Sequence, residues 1–122
     1  CNPNNPTGKL LDRKEIHLFA EKCSSAEVFL FVDEAFIELS DARESIADVA
    51  ACNDFLIVLR SLTKTFAVPG LRIGFAVASP VLADLMNKSR LHWNMNSIAA
   101  AVGENLLKCN QDYISRSLGL LK

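Results

Sequence analysis

Polar residues that can bind a small anionic ligand follow apolar segments at two points of the chain. Asp33 comes directly after the run Val28–Val32, and Ser61 and Lys64 follow the run Phe55–Leu59. Because ligands of an α/β sheet bind beyond the carboxyl ends of the strands, we expect these side chains to converge on one rim. Spacing alone leaves other interpretations open, since a loop lysine is usually solvated and an acid or serine there often forms a cap or turn.

The elements that position these residues alternate between helical and strand-like patterns. Asp12 is predicted to cap a helix, with Glu15 completing a capping box. Apolar runs at 28–32, 55–59 and 73–78 predict strands that are buried on both faces, as in a parallel sheet. Helical spacing is expected around 46–50, after Pro80, and from Ile98 towards the end of the chain. This order predicts an α/β layered sheet.

Composition excludes several classes of protein. The chain has 122 residues, 50% of them hydrophobic and 22% charged, which is enough for one domain of ordinary globular type. The net charge of −1 favours neither nucleic acid nor a membrane surface as a partner. No apolar run is long enough for a membrane span, and no basic-then-apolar leader opens the chain, so we expect a cytoplasmic protein.

The cysteines do not predict a metal site. They are scattered, with no C-x-x-C pair and no histidine at ligand spacing, at positions Cys1, Cys23, Cys52 and Cys109. We expect reduced and mostly buried thiols, and no bound metal. The chain also opens inside a loop rich in Asn and Pro, without an initiating Met, which predicts a piece of a longer protein.

Four motifs in order carry a resemblance to a known family. They are Asn5-Pro6-Thr7-Gly8, Asp33-Glu34-Ala35-Phe36, Ser61-Leu62-Thr63-Lys64 and Gly70-Leu71-Arg72-Ile73-Gly74. Their order and spacing resemble the fold-type I enzymes that depend on pyridoxal 5'-phosphate (PLP), within the class I and II aminotransferase family. The similar branch contains histidinol-phosphate aminotransferase and threonine-phosphate decarboxylase.

The resemblance implies a role for each matching residue. Lys64 would form the Schiff base with the cofactor aldehyde and carry protons, which requires a neutral amine. Asp33 would pair with the pyridine nitrogen and keep the ring cationic. Asn5 would bond the ring oxygen, and Ser61 and Arg72 would hold the phosphate, with the Pro69-Gly70 turn directing the arginine towards it.

A second set of residues is less closely tied to the cofactor. Asn96, in the segment His92-Trp93-Asn94-Met95-Asn96, resembles the family's substrate side, although an N-cap before Ile98 explains it equally well. We expect Trp93 to pack in the protein. No role is assigned to Thr63.

The resemblance also implies a larger protein and a fold. Residues 1–108 would be the central part of a PLP-binding large domain, an incomplete, mostly parallel sheet with flanking helices. Residues 109–122 would be a helix leading toward a small C-terminal domain. The full-length protein would be a cytoplasmic homodimer acting on a small phosphorylated amino acid, and the isolated segment, with open sheet edges, would be inactive.

Phe36 bears on the choice of reaction. Many aminotransferases of this fold carry tyrosine there, and its hydroxyl also bonds the cofactor ring oxygen. Phenylalanine cannot form that bond. Together with the exact residues of the other motifs, it favours decarboxylation of threonine phosphate, a reaction of cobalamin biosynthesis. A histidinol-phosphate or related aminotransferase is the alternative, and a non-catalytic module that has kept the PLP-site sequence is a third.

Overall fold

A computed structural model describes residues 1–109 and 111–121, and its elements follow the predicted order. The helices are α1 (Arg13–Ser25), α2 (Ala47–Ala50), α3 (Leu62–Thr65), α4 (Pro80–Ser89), α5 (Ser97–Cys109) and α6 (Gln111–Leu120). The strands are β1 (Leu30–Asp33), β2 (Leu56–Ser61) and β3 (Gly74–Val77). Single 3-10 turns lie at Ile37–Leu39, Ala42–Glu44 and Pro69–Leu71. The predicted α/β class is confirmed.

Helix α1 begins as its sequence predicts. The Asp12 side chain accepts a hydrogen bond from the backbone N–H of Lys14, and Glu15 completes the capping box by accepting from the backbone N–H of Asp12. This reciprocal pairing satisfies N–H groups that have no partner within the helix. Ile16 and Ala20 form its buried face.

The sheet is mixed, with strand order β1-β2-β3. β1 and β2 are parallel, and Asp33 pairs with Leu59 at the end of β1. β3 runs antiparallel to β2, with Ser61 opposite Gly74. The antiparallel strand follows from the connection, because the segment between β2 and β3 turns back through the Pro69–Leu71 turn and does not cross over the sheet.

The prediction that all three strands are buried on both faces is wrong for this chain. Val32 of β1 is buried, but its neighbour Phe31 is 59% exposed. One face of the sheet packs on α1 and α2, in a cluster formed by Ile16, Ala20, Val32, Ile46, Ala50, Leu56 and Val58. No described segment covers Phe31, so alternate side chains of β1 face solvent.

A second small cluster attaches α5 to the sheet. It consists of Leu62, Ile73 and Ala99. Gly103 of α5 makes this contact possible, because a Cβ at that position would lie 2.3 Å from the Ile73 side chain. The buried side of α5 therefore includes Ala99 and Gly103, whereas the expected core residue Ile98 is 67% exposed.

Other expectations have mixed outcomes. Cys1 and Cys52 are exposed and Cys23 is half-buried, so the prediction of mostly buried thiols is wrong for these three, and the side chain of Cys109 lies outside the described residues. Trp93 is 97% exposed and does not pack in this chain. Within residues 1–109 and 111–121, no helix is both long and apolar enough to cross a bilayer. That α6 leads to a second domain stays a prediction.

Candidate functional site

The N-terminal loop is anchored to the end of β1 by a buried asparagine. Asn2 is 3% exposed, and its backbone N–H donates to the carbonyl of Asp33 at 2.7 Å. Its side-chain oxygen accepts from the backbone N–H of Leu11 at 2.8 Å. A buried amide that forms both bonds fixes the course of the loop. The loop then turns through Gly8, at φ +69°, which suits glycine.

This anchored loop forms one wall of a pocket of about 390 Å³. The pocket is lined by Pro3, Asn4, Asn5, Pro6, Gly8, Phe36, Leu39, Ser40 and Leu121. Asn5, the predicted ligand of the cofactor ring oxygen, thus shares a wall with Phe36. The side chain of Asn5 is exposed and open to a ligand.

Asp33 is the last residue of β1 and its side chain is exposed. Its Oδ1 accepts from the backbone N–H of Ala35 at 3.0 Å, and among the described residues its Oδ2 has no hydrogen-bond donor. Since Asp33 pairs with Leu59, and side chains alternate along a strand, Asp33 and Ser61 lie on the same face of the sheet. That face is opposite the cluster containing Val32.

Lys64 lies on α3, the single helical turn that follows β2 directly. Its Nζ is 5.9 Å from the centroid of the Phe36 ring, so the segment after β1 and the segment after β2 meet here. The side chain of Lys64 is exposed in this chain. Phe36 therefore borders both Lys64 and the pocket that holds Asn5.

The two predicted phosphate ligands are brought close by strand pairing. Ser61 pairs with Gly74, and Arg72 lies two residues before that glycine. A Cβ on Gly74 would lie 2.5 Å from the carbonyl oxygen of Arg60, so only glycine permits this approach. The Ser61 hydroxyl is 2.8 Å from that of Thr63, a residue with no predicted role.

Arg72 adopts an unusual backbone conformation. It has φ 49° and ψ 53°, in the left-handed region that non-glycine residues rarely occupy, and such strained residues are enriched at functional sites. Its guanidinium donates to the carbonyl of Pro69 at 3.3 Å and forms no hydrogen bond with Ser61. The turn thus brings the arginine near the serine, but the two side chains do not share a contact in this chain.

Asn96 lies apart from this group. Its side-chain oxygen accepts from the backbone N–H of Ala99 at 2.8 Å, which is the N-cap bond at the start of α5. The capping interpretation is confirmed, and a substrate contact stays a prediction.

A buried ion pair beneath the site was not anticipated. Glu34 is fully buried, and the Nε of Arg60 lies 2.9 Å from its Oε2. Glu34 belongs to one of the four sequence motifs, and Arg60 directly precedes another. The signal was available there, because a charged residue inside or next to an apolar strand seldom points into a core unless it is paired.

Strong charge effects occur elsewhere on the chain. The Arg13 guanidinium donates to Asp48 at 2.7 Å, which lowers the pKa of that carboxyl and raises the pKa of the arginine. The Asp41 carboxylate is bound by Arg43 in the same way. No cluster of three or more His, Cys, Asp and Glu side chains suited to a metal occurs among the described residues.

The residues present fit a phosphorylated pyridine aldehyde. Lys64 offers an accessible amine, Asp33 an accessible carboxylate oxygen, and Asn5 an amide in a pocket lined largely by apolar side chains. Ser61 and Arg72, which the pairing of β2 with β3 places near each other along the backbone, offer a hydroxyl and a cation, a donor set suited to phosphate. The joint action of Asp33 and Lys64 on one ring stays a prediction.

Comparison with known proteins decides the family. Residues 1–118 match the family model "Aminotransferase class I and II". The chain belongs to the class I and II aminotransferase family. The recognised resemblance and the expectation of an enzyme family are therefore confirmed.

Individual relatives of this family agree with the match. The chain is 39% identical over 109 residues to the threonine-phosphate decarboxylase of Salmonella typhimurium, which covers 88% of this chain and 30% of that protein. It is 38% identical over 119 residues to histidinol-phosphate aminotransferase 1 of Mannheimia succiniciproducens, covering 96% of this chain and 32% of the other. The chain thus spans about a third of the length of these curated relatives.

A solved structure of the family supports both fold and cofactor. The histidinol-phosphate aminotransferase of Sinorhizobium meliloti, in complex with pyridoxal-5'-phosphate, superposes with a TM-score of 0.84 at 27% identity. The match covers 96% of this chain and 32% of that one. At the level of the family, pyridoxal phosphate as cofactor is confirmed.

Proposed function

We propose that this chain is the cofactor-holding part of a PLP-dependent decarboxylase that converts L-threonine O-3-phosphate to aminopropanol phosphate, a step of cobalamin biosynthesis. Support comes from the motif residues and from 39% identity to a threonine-phosphate decarboxylase. When bound, PLP supplies the electron sink that lets a bond at the amino acid's Cα break. The residues of this chain would provide binding, orientation and proton transfer.

The roles of the side chains follow from their chemistry. Lys64 would bond the cofactor aldehyde, and after substrate displaces it the free amine would return a proton to Cα where carbon dioxide has left. Asp33, on a paired strand end, would hold the ring nitrogen in its protonated form. Asn5 would bond the ring oxygen, and Ser61 with Arg72 would bind the phosphate.

The observation that carries the choice of reaction is Phe36. Its ring, and no hydroxyl, faces Lys64 and the pocket that contains Asn5. A family member with tyrosine here would place one more donor near the ring oxygen. The missing bond, worth about 1 kcal/mol, changes the electronics of the cofactor and not the identity of the substrate.

The second candidate is a histidinol-phosphate or related aminotransferase. It is supported by the 38% identity to such an enzyme, close to that of the decarboxylase. In that reaction Lys64 would remove a proton from Cα, and no carbon dioxide would leave. Every cofactor-binding residue would be shared, so this segment separates the two reactions mainly through Phe36.

The deciding experiment uses the full-length protein that contains this chain. Purified protein with PLP would be given threonine phosphate, and separately histidinol phosphate with a 2-oxo acid. Release of carbon dioxide with aminopropanol phosphate supports the proposal. A keto product without carbon dioxide overturns it in favour of aminotransfer.

A third possibility, a non-catalytic module of this fold, has its own test. We expect the full-length protein to bind PLP with a visible absorbance band, and borohydride to trap the cofactor on Lys64, detectable by peptide mass. A colourless protein that takes up no PLP would favour the non-catalytic module. We further propose a cytoplasmic homodimer, and we expect no turnover from residues 1–122 alone.

A further inference from the structure

A largely buried ion pair, Glu34 with Arg60, lies close in sequence to Asp33 and Lys64. Glu34 directly follows Asp33 and is fully buried, and Arg60 lies four residues before Lys64 with its side chain 13% exposed. Burying two charges costs free energy, and replacing such a pair with apolar residues is often neutral or stabilising. A buried pair at this location therefore calls for a reason other than stability.

Hydrogen bonds fix both the carboxylate and the backbone of Glu34. Its Oε1 accepts from the backbone N–H of Ile46 at 3.0 Å, and its Oε2 accepts from the Ser45 hydroxyl at 2.8 Å. Its own backbone N–H donates to the carbonyl of Leu59 at 2.9 Å, extending the pairing of β1 with β2. The carboxylate is thus a fixed point at the end of β1.

Arg60 connects this fixed point to the turn after Phe36. One terminal nitrogen donates to Ser45 Oγ at 2.7 Å, and the other contacts the carboxylate of Glu38. Its Nε lies 2.9 Å from Glu34, but the N–H is not directed well enough for a hydrogen bond, so this contact is an attraction between charges. The planar guanidinium reaches these partners at once, as an ammonium group would not.

The network ends on the helical turn that carries Lys64. The hydroxyl of Thr65 is the donor in two contacts. It lies 3.3 Å from Oε2 of Glu38 and 3.4 Å from the carbonyl oxygen of Ser61. Thr65 is 3% exposed. The chain of contacts therefore runs from the residue after Asp33 to the residue after Lys64, and Arg60 and Glu38 link them.

The network and the site occupy opposite faces of the same strands. Asp33 and Ser61 face away from the cluster that contains Val32. Glu34 and Arg60 are directly adjacent to them in sequence and, because side chains alternate, face towards that cluster. A group on the hidden face can thus set the position of a strand end without touching the ligand.

We propose that the network Glu34–Arg60–Glu38–Thr65 is a positioning device that sets the Lys64 amine at bonding distance from a cofactor held by Asp33. The inference rests on the proposed function, in which Lys64 bonds the cofactor aldehyde. The four residues would act through the strand ends and without touching the cofactor. Each is a positioning residue and not a catalytic one.

The first test replaces Arg60 with lysine in the full-length protein. This change keeps the positive charge and removes the planar guanidinium that reaches several partners at once. We expect the rate at which Lys64 bonds PLP, followed by visible absorbance and by borohydride trapping, to fall by about tenfold or more. Affinity for pyridoxamine phosphate, which cannot bond Lys64, should remain unchanged. The matched control is Arg43→Lys, because Arg43 pairs with Asp41 at the surface.

The second test uses variants of Thr65 that keep the shape or the hydroxyl of its side chain. Thr65→Val removes the hydroxyl and keeps the shape, so it should slow bonding of Lys64 in the same direction, whereas Thr65→Ser should restore the wild-type rate. Thermal unfolding is measured for all variants. A merely structural role would lower the melting temperature and weaken pyridoxamine phosphate binding together, and that outcome would overturn the proposal.

The outcomes separate this inference from the proposed function. If wild-type protein bonds PLP at Lys64, and Arg60→Lys and Thr65→Val do so at the wild-type rate, the positioning role is refuted and the proposed function stands. If wild-type protein does not bond PLP at all, the proposed function itself has failed.

Discussion

The amine of Lys64 lies 5.9 Å from the centre of the Phe36 ring. This contact joins the segments that follow β1 and β2, and the same ring lines the pocket that contains Asn5. Phe36 therefore borders the predicted bonding lysine on one side and the predicted ligand of the ring oxygen on the other. A change of this ring should affect cofactor binding directly.

Phe36→Tyr should strengthen PLP binding in the full-length protein. The new hydroxyl would add a hydrogen bond near Asn5, and we expect the dissociation constant to fall by a factor of about five, equivalent to about 1 kcal/mol. The measurement is a PLP titration of apoprotein by absorbance. Phe29→Tyr is the control, because Phe29 is exposed and packs on Phe55 at the start of the strands; an equal effect of both changes would contradict the assignment.

Gly74→Ala should disturb the pairing that brings Ser61 near Arg72. Its Cβ would meet the carbonyl oxygen of Arg60 at 2.5 Å, so strand β3 must shift, at a cost of about 1–3 kcal/mol. We expect lower stability in urea unfolding and weaker binding of pyridoxamine phosphate. Gly70→Ala is the matched control, because nothing lies within 4 Å of a Cβ there. Equal stability of the two variants would argue against the close approach.

Ala67→Gly should stabilise the loop between Lys64 and Arg72. Ala67 has φ 52°, a conformation that costs a residue with a Cβ about 1 kcal/mol and glycine little. Because glycine also adds freedom to the unfolded chain, the net gain in free energy of unfolding should be at most about 1 kcal/mol. Ala101→Gly in the middle of α5, where the residue is exposed, serves as the opposite control, with an expected loss of about 0.5–1 kcal/mol. Destabilisation by Ala67→Gly would show that the left-handed conformation does not form in solution.

The surface pair of Asp41 and Arg43 predicts a local pH dependence. Hydrogen bonds from Arg43 lower the pKa of Asp41 from its ordinary 3.8 to about 2. Because the folded pKa is the lower one, the stabilisation is fully present above pH 3.8 and is lost as the pH falls towards 2. Titration of the carboxyl carbon by NMR should show this pKa.

Arg43→Ala should return the pKa of Asp41 towards its ordinary value. Asp48 is the internal control, because its lowered pKa depends on Arg13 and should not respond. An Asp41 that titrates identically with and without Arg43 would contradict the pairing.

Most of the correct predictions depend on residues that are close together in the sequence. The Asp12 capping box, the order of the elements and the motif that places Lys64 directly after β2 depend on neighbours in the chain, and each is present. The family followed from four motifs whose order is a property of the sequence itself. The cap at Asn96 was likewise one of two interpretations that local spacing allowed.

Contacts between distant segments decided the rest. The antiparallel direction of β3, the ring of Phe36 against Lys64, and the burial of Glu34 beside Arg60 each join residues from different elements. Periodicity reports which side of an element is apolar, but not which neighbour covers it or which charge meets it in the interior. The sequence alone therefore determined the elements, the family and the residues able to do chemistry, whereas only the tertiary structure decided their pairing, since that depends on how separate strand ends are packed together.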